Sequence, residues 1–344
     1  MKTVLFTGAG FSAVAGLPIM EQFGRAFRSI FPTGEILGDS PAWLQRADDL
    51  ERRLVSQVFH RTHSLGVSEE LSANIEWVFA HLDMLITLWP DACAHGAWPL
   101  PPGSGRDDAF DKGKTLGDYR EALRLVVHKV LRDPVAAVGV ESTLARFIRQ
   151  LSLDTIITTN YDRVAERVLH SVGLRWHHVA TEQQIPHNVV RICKLHGDTL
   201  WEDKGQSLWG LLPLHERGRG AQQGENARDD EWHHEVQGIV LPTWVRKEPP
   251  PGLQRIWAEA RSAIMKCERL VIAGFGLPAT DQHIAQFLTA SLCLAQRIGD
   301  HRLKDITIIN PGVDAISRLL NVVPKGLRPK VKVHPVKLEE FVAQ

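Results

Sequence analysis

Val4-Leu5-Phe6-Thr7-Gly8-Ala9-Gly10-Phe11-Ser12, followed by Gly16-Leu17-Pro18, is the stretch whose reading decides the rest. A short apolar strand runs into small residues and then into a helix, an arrangement in which backbone N–H groups at a helix N-terminus approach a pyrophosphate where any Cβ would obstruct. Glycine permits that approach. The stretch departs from the dinucleotide fingerprint G-x-G-x-x-G, so its meaning depends on what stands at the ends of the other strands. A secretory leader is the competing reading, suggested by Lys2, the apolar run and Ala13-Val14-Ala15. Its apolar segment is broken by Thr7, Gly8, Gly10 and Ser12, and the strand reading is preferred.

The 344 residues, 44% hydrophobic and 23% charged, have the composition of an ordinary globular protein able to bury a core. Forty basic residues balance 40 acidic ones, so nothing in the net charge points to a polyanion, and no direct sequence-specific nucleic-acid binding is expected. Cys93, Cys193, Cys267 and Cys293 are scattered and form no C-x-x-C pair, which argues against a thiolate zinc site and for a reducing, cytoplasmic setting. No apolar run approaches the roughly 20 residues that span a bilayer, so no membrane partner is expected. The pairs His177-His178 and His233-His234 lie in polar stretches and read as exposed loop histidines.

Helical periodicity predicts a first helix over 19–31, then a helical insertion over 35–140. Within it Val78, Leu82, Leu85, Ile86 and Trp89 share one spacing and Leu123, Val126, Val127, Val130 and Leu131 another, with a Pro- and Gly-rich loop over 98–118. Helix and strand then alternate. A helical face of Leu144, Phe147, Ile148 and Leu151 precedes a strand over 154–158 that ends in Thr158-Thr159-Asn160-Tyr161-Asp162. After a helix over 163–171, a strand over 189–194 ends in Leu195-His196-Gly197-Asp198. The run 216–235 reads as a mobile loop and 238–242 as a short apolar run. A helix over 253–267 leads to a strand over 270–273 entering Gly274-Phe275-Gly276, then a helix carrying Ile284, Phe287, Leu288, Leu292 and Ala295 on one face. A strand over 305–309 ends at Asn310-Pro311-Gly312, and a last strand lies over 331–333. This alternation predicts an α/β fold, a Rossmann-like doubly wound parallel sheet with a helical insertion and no zinc module, all within one domain spanning 1–344. Every polar motif falls at a strand end, where such sheets bind ligands.

Taken in order, the motifs at Gly8 to Pro18, Thr158 to Asp162 and Lys194 to Asp198, joined by Gly274-Phe275-Gly276 and Asn310, resemble the sirtuin family. The four zinc cysteines of the protein-deacylating sirtuins are missing, and Ile19-Met20-Glu21-Gln22 stands where those enzymes carry Asp-Phe-Arg. In this the chain is similar to the zinc-free, sirtuin-like branch of bacterial anti-phage defence, whose members hydrolyse NAD⁺. Ala273-Gly274-Phe275-Gly276-Leu277-Pro278 with Asp281 and Ile284, and more loosely 238–244, look like segments of that branch.

The resemblance implies NAD⁺ as substrate, no zinc, and an NAD-depleting glycohydrolase that releases nicotinamide and ADP-ribose. Gly8, Ala9, Gly10, Ser12, Gly16, Pro18, Thr159, Asp162, Gly274, Gly276 and Asn310 would hold the dinucleotide, Asp162 by the nicotinamide carboxamide. Asn160 would hold the attacking water or the ribose hydroxyls, and His196 would act as base. Against these roles stand a polar turn residue for Asn160 and a hydrogen-bonded core histidine for His196. Asp198 and Asp281 each read equally as helix or turn caps. Cys193 and His196 form a C-x-x-H without a partner pair, and no metal is assigned. The resemblance also implies regulation by homo-oligomerisation, or by a partner ATPase or Argonaute-like protein. Two further readings are a NAD-dependent protein deacylase or ADP-ribosyltransferase, and a sensor that binds NAD or ADP-ribose without cleaving it.

Overall fold

The computed structural model describes residues 2–30, 40–64, 68, 73–88, 116–131, 139, 141–179, 187–198, 251–278, 281–298 and 302–344. In chain order these form β1 (Thr3–Thr7), α1 (Ala9–Ala13), α2 (Met20–Ser29), a 3-10 turn (Ala42–Arg46), α3 (Asp49–Ser64), α4 (Ile75–Leu88), α5 (Leu116–Leu131) and α6 (Thr143–Arg149). There follow β2 (Leu153–Thr158), α7 (Val164–Ser171), β3 (Trp176–His178), β4 (Val190–Lys194), α8 (Pro251–Lys266), β5 (Arg269–Ala273) and α9 (Gln282–Ile298). The chain closes with β6 (Asp305–Ile309), α10 (Val313–Val322), a 3-10 turn (Lys325–Lys330), β7 (Val331–His334) and α11 (Leu338–Ala343).

The strands form one parallel sheet of seven in the order β3-β4-β2-β1-β5-β6-β7, a Rossmann-like α/β arrangement. The inner strands are buried on both faces and read accordingly as near-continuous apolar runs, such as Thr155-Ile156-Ile157 and Leu270-Val271-Ile272-Ala273. Val4 and Phe6 of β1 join a core with Ile256, Ala260 and Ile264 of α8 and Ile284, Leu288 and Leu292 of α9. Leu5, one residue out of phase, is also buried, so the opposite face is covered as well. From β1 the chain adds β2 beside it, then edge strand β3, then β4 between those two, before crossing to build β5, β6 and β7 outward on the other side. The order therefore reverses between β1 and β5, the position at which such sheets open a ligand crevice.

Register carries the strand-end motifs onto one line. Lys194, Thr158, Thr7, Ala273 and Ile309 are successive neighbours across β4, β2, β1, β5 and β6. The residues one step beyond them are Leu195, Thr159, Gly8, Gly274 and Asn310. At the reversal the loops after β1 and β5 touch through backbone: the Gly10 N–H donates to the Gly274 carbonyl at 2.8 Å. Gly274 sits at φ +64°, and a Cβ there would lie 2.2 Å from the Phe11 nitrogen. A Cβ on Gly10 would lie 2.9 Å from the Gly274 oxygen, and one on Gly8 2.6 Å from the Phe275 ring. These three glycines are thus required by protein packing before any ligand is considered. Gly276 is different, since its nearest neighbour to an added Cβ is Ala315 at 3.8 Å.

The chain divides into two compact units, one comprising β1, α1 and everything described from Gly139 onward, the other comprising α2 to α5. In the helical unit Phe23, Phe27, Trp43 and Phe59 form an aromatic cluster, with Phe23 stacked on Trp43 at 5.6 Å. Val78, Leu82 and Leu85 of α4 and Leu123, Val126, Val127, Val130 and Leu131 of α5 are buried as their spacing predicts. Tyr119 donates to Gln57 at 3.1 Å, and Lys129 pairs with Glu51 at 2.7 Å.

Several boundaries differ from the sequence reading. A helix opens directly in the glycine cluster at Ala9, ends by Ala13, and is separate from α2. Residues 116–118, read as the end of a loop, are the first turn of α5. His177-His178 is no exposed loop pair but lies in edge strand β3, with His178 buried, because Trp176-His177-His178 pairs with β4. A closing helix, α11, was not anticipated. The loop at 216–235, the apolar run at 238–242 and His233-His234 lie outside the described residues. Among the described residues no helix is long and apolar enough to cross a membrane.

The contrast between two glycines is measurable. Gly274→Ala combines left-handed strain with overpacking and should cost roughly 2–4 kcal/mol in urea unfolding. Gly276→Ala should stay within about 0.5 kcal/mol of wild type.

Candidate active site

The loop after β2 folds back beneath β1 because its polar groups find partners there. The Thr159 N–H donates to the Thr7 carbonyl at 3.3 Å, and the Asn160 N–H donates to Thr158 Oγ1 at 3.0 Å. The Asn160 side-chain amide donates both hydrogens into the first loop, to the Gly8 carbonyl at 2.9 Å and to Ser12 Oγ at 2.8 Å. What Asn160 has left is Oδ1, an acceptor. Ser12 in turn hydrogen-bonds the Asp162 carboxylate, which also accepts from the Val164 N–H at 2.9 Å and so caps α7. Burial pushes the Asp162 carboxyl up to about 6, against the pull of Lys194, Ser12 and Val164.

Beneath this loop the chain buries an ammonium ion. Lys194, at the end of β4, lies 2.9 Å from Glu166 and 2.5 Å from Asp198, and donates to the Asp162 carbonyl. His178 lies 3.2 Å from the same Glu166 oxygen. Burial works against the charge on Lys194, but Asp198, Glu166 and Asp162 outweigh it and raise its pKa. Burial likewise works against charge on Glu166, and Lys194 and His178 reverse it, holding the carboxyl well below its usual range. Glu166, His178 and Asp198 have the spacing of a cation site, and Lys194 Nζ already contacts both carboxylates.

Two residues beyond Lys194, His196 is buried to 3% exposure and its Nε2 meets His283 Nε2 at 3.0 Å, one nitrogen carrying the proton and the other accepting it. Asp281 Oδ1 is 4.0 Å from both nitrogens and has no hydrogen-bond partner among the described residues. Burial, reinforced by His283, pushes the His196 ring down to about 3; Thr159 backbone favours its protonation but too weakly to make a proper hydrogen bond to Nδ1. Burial also lowers His283 to about 4 and raises Asp281 to about 7. At neutral pH both rings are therefore uncharged. Tyr161 packs 6.0 Å from the His196 ring, and Trp257 packs 5.7 Å from His283 while donating to the Leu195 carbonyl at 3.0 Å.

On the far side of the reversal, Asn310 Nδ2 donates to the Phe275 carbonyl at 3.1 Å and its Oδ1 accepts from the Gly312 N–H at 2.8 Å, which clamps the loops after β5 and β6 together. Arg318 donates twice to the Gly276 carbonyl. Gly16, at φ +80°, ends the turn after α1, and Pro18 belongs to the helical unit. The predicted residues Gly8, Gly10, Ser12, Asn160, Asp162 and Gly274 are thus linked through one polar network or one loop contact. The structure adds Lys194, Glu166, His178 and His283. Lys194 had a signal, a lysine closing an apolar strand; His283 had only its two-residue spacing from Asp281. Cys193 does not join His196 in a ligand group among the described residues, and burial pushes its thiol up to about 12.

No protein-family profile and no curated protein matches the chain. Among solved structures, the chain is similar to a Sir2 homologue mutant in complex with ADP-ribose, at 16% identity over 99% of this chain and 88% of that one, with a TM-score of 0.37. A second, described as the structural basis for the mechanism and regulation of Sir2 enzymes, aligns at 14% identity over 99% and 89%, with a TM-score of 0.35.

The opposing shifts at this cluster give a signed pH dependence. His196 and His283 titrate below their unfolded value of 6.5, so the unfolded chain binds more protons as pH falls toward 4, and stability present above 6.5 is lost. Asp281 titrates above its unfolded value of 3.8, so across the window up to about 7 it adds stability as pH falls. Asp281→Asn removes the compensating group. Urea unfolding between pH 6.5 and 4.5 should then show a steeper acid loss than wild type, by up to about 1.4 kcal/mol per pH unit; parallel profiles would contradict these assignments.

Proposed function

We propose that the chain is an NAD⁺ glycohydrolase that cleaves the bond between nicotinamide and ribose. The observation that carries the reading is the line of loops beyond Lys194, Thr158, Thr7 and Ala273, which sets Asn160 and His196 at equal distances past a registered strand pair. They stand beside the sheet reversal, where Gly8 and Gly274 keep the loops close.

In this reading the first loop takes the pyrophosphate. The Gly10 and Phe11 N–H groups are spent on Gly274 and Gly8, so approach falls to Gly8 and Ala9, with Ser12 and Thr159 alongside. Gly276, which no protein contact requires to be glycine, leaves room for the nucleotide, and Asn310 shapes the adenosine side. Gly16 would border the ribose, and Asp162 would meet the carboxamide.

Chemically, the C1′–N bond breaks with its electron pair going to nicotinamide, which neutralises the pyridinium and leaves an oxocarbenium-like ribose. Water then bonds to C1′ and gives up a proton. Asn160 Oδ1, with its amide hydrogens committed elsewhere, accepts from that water or from a ribose hydroxyl. His196, neutral at pH 7, offers a ring nitrogen to that proton, and the burial that holds its pKa down to about 3 works against the transfer. The products are nicotinamide, ADP-ribose and a proton. In a cell the activity would deplete NAD⁺, and we place it with anti-phage effectors switched by homo-oligomerisation or by a partner ATPase or Argonaute-like protein.

Purified protein incubated with NAD⁺, alone and in each assembly state, should release nicotinamide and ADP-ribose by mass spectrometry. Asn160→Ala and His196→Ala should each lower the rate by about 10²–10⁴-fold. Gly276→Ala, stable in urea, should raise KM. Full activity in the first two variants, or consumption of NAD⁺ only with an acyl-lysine peptide, would defeat the assignment.

A further inference from the structure

His196, His283 and Asp281 converge from two elements, the loop after β4 and the start of α9, with their ligand-type atoms close together. Together they make one hydrogen bond, the 3.0 Å contact between the two imidazoles. Asp281 Oδ1 is left over, in a residue only 3% exposed, pointing at both rings from 4.0 Å without a hydrogen-bond partner among the described residues. A buried carboxylate oxygen in that condition costs stability unless something satisfies it.

We propose that these three side chains form a binding site for a single Zn²⁺ ion, and that filling it withdraws His196 from catalysis. Two imidazoles and one carboxylate with a fourth position open are a ligand set that suits zinc and does not suit magnesium or calcium, which take oxygen. Tetrahedral coordination with Zn–N bonds of about 2.0–2.1 Å sets ligand atoms roughly 3.3 Å apart. The imidazole pair already stands at 3.0 Å, and the carboxylate oxygen needs to close from 4.0 Å. The difference is roughly 0.7 Å, which an aspartate carboxylate covers by turning about its broad χ2 torsion. Burial keeps both rings neutral; for zinc to take both Nε2 lone pairs, the proton between them moves to that ring's Nδ1, and any proton that burial keeps on Asp281 is released to solvent. Access runs past His283, whose side chain is 40% exposed. Unlike the Glu166, His178 and Asp198 group, it has no lysine contact among the described residues. With zinc bound, the His196 Nε2 lone pair is engaged, and the ring no longer takes a proton from water through it. That inhibitory consequence rests on the glycohydrolase reading; the binding itself does not.

The test uses the full chain, stripped with chelator and titrated with ZnCl₂ by calorimetry. Wild type should bind one ion in a phase that His283→Gln and Asp281→Asn each weaken at least tenfold, and zinc should raise the Tm of wild type but not of the variants. Co²⁺ in wild type should give the intense visible bands of a four-coordinate ion, a readout that does not depend on the variants folding. Zinc should stop nicotinamide release by wild type, with recovery on adding EDTA. Equal binding by wild type and folded variants, or octahedral cobalt bands, overturns the site. Zinc held at the site with nicotinamide release unchanged overturns the inhibition. If no assembly state releases nicotinamide, the glycohydrolase reading fails, and calorimetry with the cobalt spectrum still decides the site.

Discussion

One backbone hydrogen bond, from the Gly10 N–H to the Gly274 carbonyl, sets how closely the loops after β1 and β5 approach. Those strands flank the point where the sheet order reverses, so the contact sits where sheets of this topology open a ligand crevice. It leaves no space for side chains on Gly8, Gly10 or Gly274. Once it is made, the Gly8 carbonyl is fixed, Asn160 is fixed by donating to it, and Ser12 and Asp162 follow. The polar site is thus a consequence of how two loops pack.

The second constraint is electrostatic. Lys194 is fully buried between Glu166 and Asp198, an arrangement that rarely adds net stability because both signs lose their hydration. What it supplies is position: the same ammonium holds the Asp162 carbonyl and anchors the end of the strand that presents His196. Three residues of β4 and its loop therefore have separate jobs. Lys194 organises, His196 faces the crevice cluster, and Asp198 neutralises. Among the described residues the His196, His283 and Asp281 group has no such internal cation, and that difference sets it apart from the closed ion network around Lys194.

Much of the fold was legible because its signals are local. Apolar runs such as Ile156-Ile157 and Val271-Ile272 identify buried parallel strands, and the helical spacing of Leu123, Val126, Val127, Val130 and Leu131 identifies the core face of α5. The strand-end position of Asn160, His196 and Gly274 followed from those strands. Edge strand β3 was missed because Trp176-His177-His178 carries no apolar pattern; it is a strand because β4 offers it a partner and Glu166 gives His178 a buried contact. The glycines were read as space for a phosphate, whereas a residue about 260 positions away is what crowds them. His283 was invisible for the same reason, since its partner His196 lies on a different element. Periodicity sees one element at a time, and the site is made between elements.

The strand order also bears on how the protein is made. β1 is paired on one side by β2, starting at Leu153, and on the other by β5, starting at Arg269. At synthesis rates of about 5–20 residues per second, the central strand waits on the order of 10–50 s for its second neighbour to leave the ribosome. Contacts of such long range also fold slowly once available. A nascent or truncated chain that stops short of Arg269 has no Gly10–Gly274 contact and no crevice between β1 and β5, so an unfinished copy carries no assembled site.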